Sequence, residues 1–249
     1  MEELLRIARE SPLTDLIERH LPPTGRVLEA GCGLGQYVLL LRERGRAAVG
    51  ADWSLDALRA GARAGAPVSV MDLRALAVAS GAVRAYLSLG VVEHDPDGPD
   101  AILSEAARVV PPGGWLLLSV PYWNGVRRLG APYLRRHARR TRAAGGQFYQ
   151  YAFTRRELGQ RLSAHGFAVR SFHPYDPARV LRKAVRGLRS RAAGLPVAGS
   201  TGDRPASTPL AGEVGANRPA WRRAARVLLY SEPSLRLFGH MLLAVAERR

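Results

Sequence analysis

The sequence predicts an α/β fold built on a doubly wound, mainly parallel sheet, and three observations predict it. Apolar runs of strand length alternate with helix-length amphipathic stretches from about residue 26 to residue 120. The runs end in an acid, a glycine or a proline–aromatic pair, the punctuation of strand ends facing a crevice. The first run leads into Gly31-Cys32-Gly33-Leu34-Gly35, a turn in which glycine lets the backbone bend sharply and approach a ligand with no Cβ in the way. Parallel strands need long crossover connections, and the stretches between the runs are long enough to be helices.

The elements follow in order. Leu4, Leu5, Ile7, Leu13, Leu16 and Ile17 mark one or two amphipathic helices over 2–20, broken by Pro22-Pro23-Thr24-Gly25. Val27 and Leu28 end the first strand, and Tyr37 opens a helix that stops near Arg44-Gly45. Ala47 to Ala51 is the second strand, ending in Asp52-Trp53-Ser54, with Ser54 placed to cap a helix through Ala60. Pro67 to Met71 is the third strand, ending at Asp72. Arg84 to Leu89 is the fourth, followed by Gly90-Val91-Val92-Glu93-His94. A helix from about Pro99 to Val109 stops at two prolines and two glycines, and Trp115 to Val120 is the fifth strand. Thr154 and Glu157 have capping-box spacing at the start of a later helix. Gly166-Phe167-Ala168-Val169 leads a sixth strand, and His240 to Ala246 reads as a last one. The whole is a Rossmann-like, seven-stranded sheet with an antiparallel last strand and basic helical insertions.

The expected organisation is an N-terminal helical segment over 1–22 and a ligand-binding core over 23–125. A basic insertion or cap covers 126–153, and a core helix and sixth strand cover 154–176. Basic amphipathic helices over 177–237 surround a linker at about 194–218, and the last strand lies in 238–249.

Charge separates these parts. Residues 1–125 hold 12 arginines against 15 acids, whereas residues 126–249 hold 25 basic residues against 6 acids. Codon bias toward arginine would act on both halves alike, so the segregation calls for its own explanation. Over 125–146 there are arginines and no acid; over 178–193 Leu181, Ala184, Val185 and Leu188 share one helical face and Arg179, Arg182, Lys183, Arg186 and Arg189 another. Such a helix packs on its own domain with a solvated basic face, or lies on an anionic membrane surface. The segment around Trp221, Arg222, Arg223, Arg226, Leu228 and Leu229 repeats the pattern.

No apolar run approaches the roughly 18–20 residues that span a bilayer, and the acidic start Met1-Glu2-Glu3 is unlike a secretory signal. The one cysteine, Cys32, excludes an internal disulfide framework and a multi-cysteine metal site. The expectation is a cytoplasmic chain, with the inner membrane face as a peripheral location, and no metal. Cys32 reads as a small residue filling the turn rather than a reactive thiol. Oligomeric state is not legible.

The glycine spacing narrows the ligand. A dinucleotide fingerprint has glycines at relative positions one, three and six; here they fall at one, three and five, with Gln36 sixth and Glu29 two residues before the first. This resembles the S-adenosylmethionine (SAM) loop of class I methyltransferases. Val27-Leu28-Glu29-Ala30-Gly31-Cys32-Gly33-Leu34-Gly35, Gly50-Ala51-Asp52-Trp53-Ser54, Met71-Asp72-Leu73, Ser88-Leu89-Gly90-Val91-Val92-Glu93-His94 and Arg108-Val109-Val110-Pro111-Pro112-Gly113-Gly114 together resemble the type-11 class I family, over about residues 20–125. Ala77-Val78 and Ala85 depart from that family's pattern, where a Pro–aromatic pair and an Asp are common.

The resemblance implies a SAM cofactor, with S-adenosylhomocysteine as product. Gly31, Cys32, Gly33 and Gly35 would lie along the methionine part, with Glu29 near its ammonium. Asp52, about twenty residues past the glycines, would accept the ribose hydroxyls, and Trp53 would cover the adenine face. Asp72 would accept the adenine amino group, with the Leu73 N–H beside it, and Leu89 would bring backbone near the sulfonium. Each acid alone also suits a helix cap or turn; their succession at three strand ends favours the ligand. His94 is the candidate base, its alternative a structural histidine bonding local backbone. Tyr122, Trp123 and Asn124 are candidate walls of a substrate pocket.

The expected acceptor is a small-molecule or lipid-linked compound offering an O, N or C nucleophile. Nucleic-acid (RNA) methylation is the competing enzyme reading, since arginine clusters track phosphates. Against it, the chain has Leu89-Gly90-Val91-Val92 where DNA amino-methyltransferases carry Asn/Asp-Pro-Pro-aromatic, and its basic segments lack regular aromatic interleaving. A SAM-binding scaffold without transfer activity is the non-enzyme alternative.

Overall fold

A computed structural model describes residues 1–131, 151–177 and 228–249. Helices α1 (Glu2–Arg9) and α2 (Pro12–His20) lead the chain. Ser11 caps α2 by accepting from the Leu13 N–H at 3.2 Å, and the Thr14 hydroxyl donates back to the Ala8 carbonyl, fixing the corner. Then come β1 (Arg26–Ala30), α3 (Gln36–Glu43), β2 (Ala47–Asp52), α4 (Leu55–Arg63) and β3 (Val68–Val70). They are followed by β4 (Ala85–Leu89), a 3-10 turn at Val92–His94, α5 (Asp100–Val109) and β5 (Trp115–Pro121). Later elements are α6 (Gly125–Leu129), α7 (Arg155–Ala164), β6 (Phe167–Tyr175), α8 (Glu232–Phe238) and β7 (Met241–Arg248).

The seven strands form one sheet in the order β3-β2-β1-β4-β5-β7-β6. β1 pairs in parallel with both β2 and β4, β2 with β3, and β4 with β5. β7 runs antiparallel to β5: Gly113 N–H donates to the Arg248 carbonyl at one end and Tyr122 N–H to that of His240 at the other. The same crossing of numbers, Arg249 N–H to Gly166 and His240 N–H to Tyr175, makes it antiparallel to β6. The antiparallel last strand is as predicted, though it spans Met241–Arg248 rather than His240 to Ala246. The short helix α8 has no separate counterpart among the predicted elements.

Strand order reverses between β1 and β4, because β2 and β3 add on one side and β4 and β5 on the other. Ligands of open α/β sheets bind in the crevice at the carboxyl ends of strands at such a switch point. The central strands are buried through Val27, Leu28, Ala30, Ala85, Tyr86, Leu87, Leu116, Leu117 and Leu118, and β7 through Leu242, Leu243, Ala244 and Val245. Strands covered on both faces read as continuous apolar runs, which is why periodicity located them. Ser54 caps α4 as predicted, its Oγ accepting from the Ala57 N–H at 3.4 Å, and the Thr154–Glu157 capping box is formed in both directions.

The chain forms two compact units. One comprises Met1–Pro121, Tyr149–His173 and Leu243–Arg249; the other comprises Tyr122–Phe148 and Pro174–Leu242. The arginine-rich stretch from 132 to 150, the basic helix expected at 178–193, the linker at 194–218 and the helix expected from Pro219, up to residue 227, lie outside the described residues.

Candidate functional site

Three glycines shape the turn after β1, each for a different reason. Gly31, Gly33 and Gly35 have φ of 80°, 52° and 72°, a left-handed region that side chains with a Cβ rarely enter. A Cβ on Gly31 would lie 2.3 Å from Val91, so this glycine admits the segment after β4. Gly35 is the left-handed N-cap of α3. Gly33 faces open space, with no atom within 4 Å of the Cβ it lacks. The turn is tied to β2: the N–H groups of Gly31 and Cys32 both donate to the Ala51 carbonyl, at 2.7 and 3.1 Å.

Cys32 is buried, and a Cβ on Gly50 would meet its Sγ at 2.6 Å. Burial, with Glu29 and Asp52 nearby, pushes its thiol well above the usual range. The residue contributes packing and backbone to the turn.

Asp52 joins the loops. Its Oδ2 accepts from the Gly33 N–H at 2.8 Å and its Oδ1 from the Ser54 N–H at 2.9 Å. An ionised carboxylate has about four lone-pair positions, so two bonds leave capacity for a ligand on both oxygens. Beside it, Trp53 is 85% exposed, its indole presented to solvent.

Glu29 is only 3% exposed, and its Oε2 is buried without a hydrogen-bond partner. Burial pushes its carboxyl up to about 8, offset in part by the Val38 N–H and reinforced by the charge of Asp52. Near neutral pH it holds its proton, and an arriving cation would let it ionise.

The Met71 N–H donates to the Asp52 carbonyl at 3.0 Å, which brings the end of β3 alongside. Leu73 is buried, but Asp72 is exposed and already engaged. Its carboxylate accepts from the Arg74 N–H at 2.9 Å and from Arg74 Nε and Nη2 at 3.0 and 2.9 Å. That guanidinium holds the carboxyl below its usual range. Sequence reading missed this partner, although a basic residue two positions on was a visible signal.

After β4, Leu89 is half-buried and the Gly90 N–H donates to the Ser119 carbonyl at 2.9 Å. The 3-10 turn then buries Val92 and Glu93 and leaves His94 exposed. Sequence reading passed over Glu93, an acid that is 2% exposed; its signal was a charged residue directly after an apolar Val91-Val92.

Glu29, Gly31, Cys32, Gly33, Gly35, Asp52, Trp53, Asp72, Leu73, Leu89 and His94 thus gather at the carboxyl ends of β1 to β4 in the first unit. Tyr122, Trp123 and Asn124 belong to the second unit. Asn124 is fully buried; its Oδ1 caps α6 by accepting from the Arg127 N–H at 2.9 Å, and its Nδ2 donates to the Gly239 carbonyl at 2.8 Å. Its side chain holds α6 to the end of α8. Tyr122 and Trp123 are half-buried, and the Tyr122 carbonyl accepts from Arg127 at 2.6 Å.

Among the described residues, no helix is long and apolar enough to cross a membrane, and no group of three His, Cys, Asp or Glu residues could hold a metal ion.

A sheet reversing between β1 and β4, with a left-handed glycine turn tied to an acid at the end of β2, defines a class I methyltransferase fold. The chain belongs to the class I SAM-dependent methyltransferase family: a family model described as a methyltransferase domain matches residues 5–171. Solved structures of the same fold include a SAM-dependent methyltransferase from Mesorhizobium loti, at 16% identity over 96% of this chain and 99% of that one, with a TM-score of 0.60. Geranyl diphosphate C-methyltransferase from Streptomyces coelicolor A3(2), in complex with geranyl diphosphate and S-adenosylhomocysteine, matches at 16% identity over 96% and 81%, with a TM-score of 0.58. A SAM-dependent methyltransferase from Methanosarcina mazei matches at 21% identity over 64% and 86%, with a TM-score of 0.56. No curated protein matches the sequence.

Proposed function

We propose that this chain binds SAM at the carboxyl ends of β1 to β4 and transfers its methyl group to an O, N or C nucleophile of a small-molecule or lipid-linked acceptor. The observation that carries this reading is Glu29, a buried carboxyl whose Oε2 has no partner, below a glycine turn that leaves open space at Gly33. A cationic amino acid moiety fits that arrangement, because an unpaired polar atom in the interior is costly and a ligand ammonium would satisfy it.

The other residues fall into place around it. The backbone of Gly31, Cys32, Gly33 and Gly35 lies along the amino acid part. Asp52 accepts the ribose hydroxyls on its remaining lone pairs, Trp53 covers the adenine, and Asp72 with the Leu73 N–H meets the adenine edge. Leu89 places backbone beside the sulfonium. The bound donor supplies an already activated methyl group, so the chain's task is alignment, which contributes several orders of magnitude. His94, on the turn that Val91 seats against Gly31, takes the proton of an O–H or N–H acceptor, a step worth about 10²–10⁴-fold.

The excess of 25 basic residues over 6 acids after residue 125 supports an anionic acceptor or an anionic membrane surface as the second partner. Geranyl diphosphate, the ligand of the Streptomyces coelicolor neighbour, has that chemistry.

Calorimetry with S-adenosylhomocysteine tests the donor site. Micromolar binding by the wild type, lost in Glu29→Ala and Asp52→Ala, is expected; no wild-type binding would sink the reading. Sedimentation with anionic and neutral vesicles tests the second partner, and equal binding to both would count against it.

A further inference from the structure

Two short helices of the second unit carry apolar side chains that the protein leaves uncovered. Every other described helix buries at least two residues, whereas α6 and α8 bury none. Leu129 on α6 is 83% exposed, and Val126 and Leu237 are exposed as well. Leu228, four residues ahead of α8, is 70% exposed. The two helices hold each other: a Cβ on Gly125 would meet the Leu237 side chain at 2.6 Å, and Asn124 Nδ2 donates to the Gly239 carbonyl just past α8. At 3.6 residues per turn, Gly125, Val126 and Leu129 fall within about 100° of one another around α6. The exposed leucine of α6 therefore stands on the side where Leu237 packs.

The same unit carries most of the positive charge. Residues 122–148 and 174–242 hold 19 basic side chains against 4 acids. Arg127 and Arg128 stand on α6 itself. On α8, Arg236 pairs with Glu232, Nε to Oε1 at 3.0 Å, an exposed pair that leaves the face net positive. In sequence, Arg135, Arg136, Arg139 and Arg140 follow α6, and Arg222, Arg223 and Arg226 lead up to Leu228.

We propose that the α6–α8 face docks on an anionic lipid bilayer, with Val126, Leu129 and Leu237 entering the headgroup region and the arginines meeting lipid phosphates. The inference rests on the reading of an anionic surface as the second partner, and it names the face and the kind of surface. Uncovered apolar side chains among cations match such a bilayer, because apolar burial and electrostatic attraction act together there. An arginine also lays its stem along apolar surface while its head stays at the phosphates. A nucleic acid would use the arginines and leave Leu129 in water. A second copy of the chain would cover the leucines but bring the same positive field against itself.

The test is sedimentation of the full chain with phosphatidylglycerol–phosphatidylcholine vesicles and with phosphatidylcholine vesicles, for the wild type, Leu129→Ser and Leu129→Trp. Wild-type binding confined to the anionic vesicles is expected. Leu129→Ser should weaken it about tenfold, and Leu129→Trp should strengthen it, since indole favours the membrane interface. Leu129 lies on the surface, so both variants fold and keep S-adenosylhomocysteine affinity within about twofold. Binding to anionic vesicles that is the same in all three chains overturns this docking face and leaves the anionic partner standing. Equal wild-type binding to both kinds of vesicle sinks that partner reading as well. No vesicle binding by the wild type overturns the proposal, and two further measurements then assign the face. Retardation of a single-stranded RNA, unaltered by Leu129→Ser, gives it to nucleic acid; a wild-type dimer that Leu129→Ser dissociates gives it to a second copy.

Discussion

The Asp52 carboxylate accepts the Gly33 N–H at 2.8 Å, so the end of β2 fixes the one glycine of the turn whose missing side chain would face open space. In the proposed donor site a single acid thereby shapes the loop under one end of the ligand while its remaining lone pairs would meet another part of it.

Replacing Asp52 by alanine therefore has two effects. The Gly33 and Ser54 N–H groups lose their acceptor, which costs about 1–3 kcal/mol per group left unsatisfied. S-adenosylhomocysteine affinity falls at least tenfold. Thermal denaturation reads the first and calorimetry the second; wild-type affinity in Asp52→Ala would contradict the placement.

Glu29 couples binding to protons. The folded carboxyl titrates near 8 and the unfolded one near its ordinary value, so between them the folded state holds the extra proton. Stability then falls as pH rises from about 5 to 8, and Glu93, also raised to about 8, adds to the same slope. A ligand ammonium makes Glu29 ionise, so S-adenosylhomocysteine binding at pH 7 releases a proton. Calorimetry in buffers of different ionisation enthalpy measures that release, which Glu29→Gln should lose.

Gly31 and Gly33 separate folding from binding. Gly31→Ala meets Val91 and a left-handed backbone together, for a loss of roughly 2–4 kcal/mol. Gly33→Ala carries the backbone cost alone, about 1 kcal/mol, because its methyl enters open space. It folds but binds S-adenosylhomocysteine weakly. Equal melting temperatures for the two variants would contradict the assignment.

Asp72 and Arg74 make an exposed pair, half accessible on both sides, worth little to stability. Asp72→Ala is expected to weaken S-adenosylhomocysteine severalfold. Arg74→Ala, which releases the carboxylate, leaves affinity unchanged or tighter. Paired calorimetry decides; weakening by Arg74→Ala would make the arginine a ligand contact.

What could be read in advance follows from how local each signal is. β1, β2, β4 and β5 were legible because strands covered on both faces are apolar runs, and Glu29, Asp52 and Asp72 because acids at successive strand ends keep their place in the sequence. The hydrogen bond from Asn124 to Gly239 was not legible, because the partner lies 115 positions away and no local pattern carries that pairing. Glu93 carried a local signal, a charge directly after two valines, but its link to Tyr151 N–H, 58 positions on, is not written in the local pattern. The Asp72–Arg74 pair is near in sequence, but it forms only through the particular bend of that loop.

The position of β7 has a consequence in time. It lies between β5 and β6, yet it is synthesised after both. While the ribosome makes residues 176 to 240, β6 has no strand to join and β5 offers a bare edge of unpaired amides, the kind of surface that invites misassociation. Strands β1 to β4, which carry the proposed donor site, are complete long before then. A nascent chain would therefore hold the proposed donor site on a half-finished sheet until the eight residues of β7 complete it.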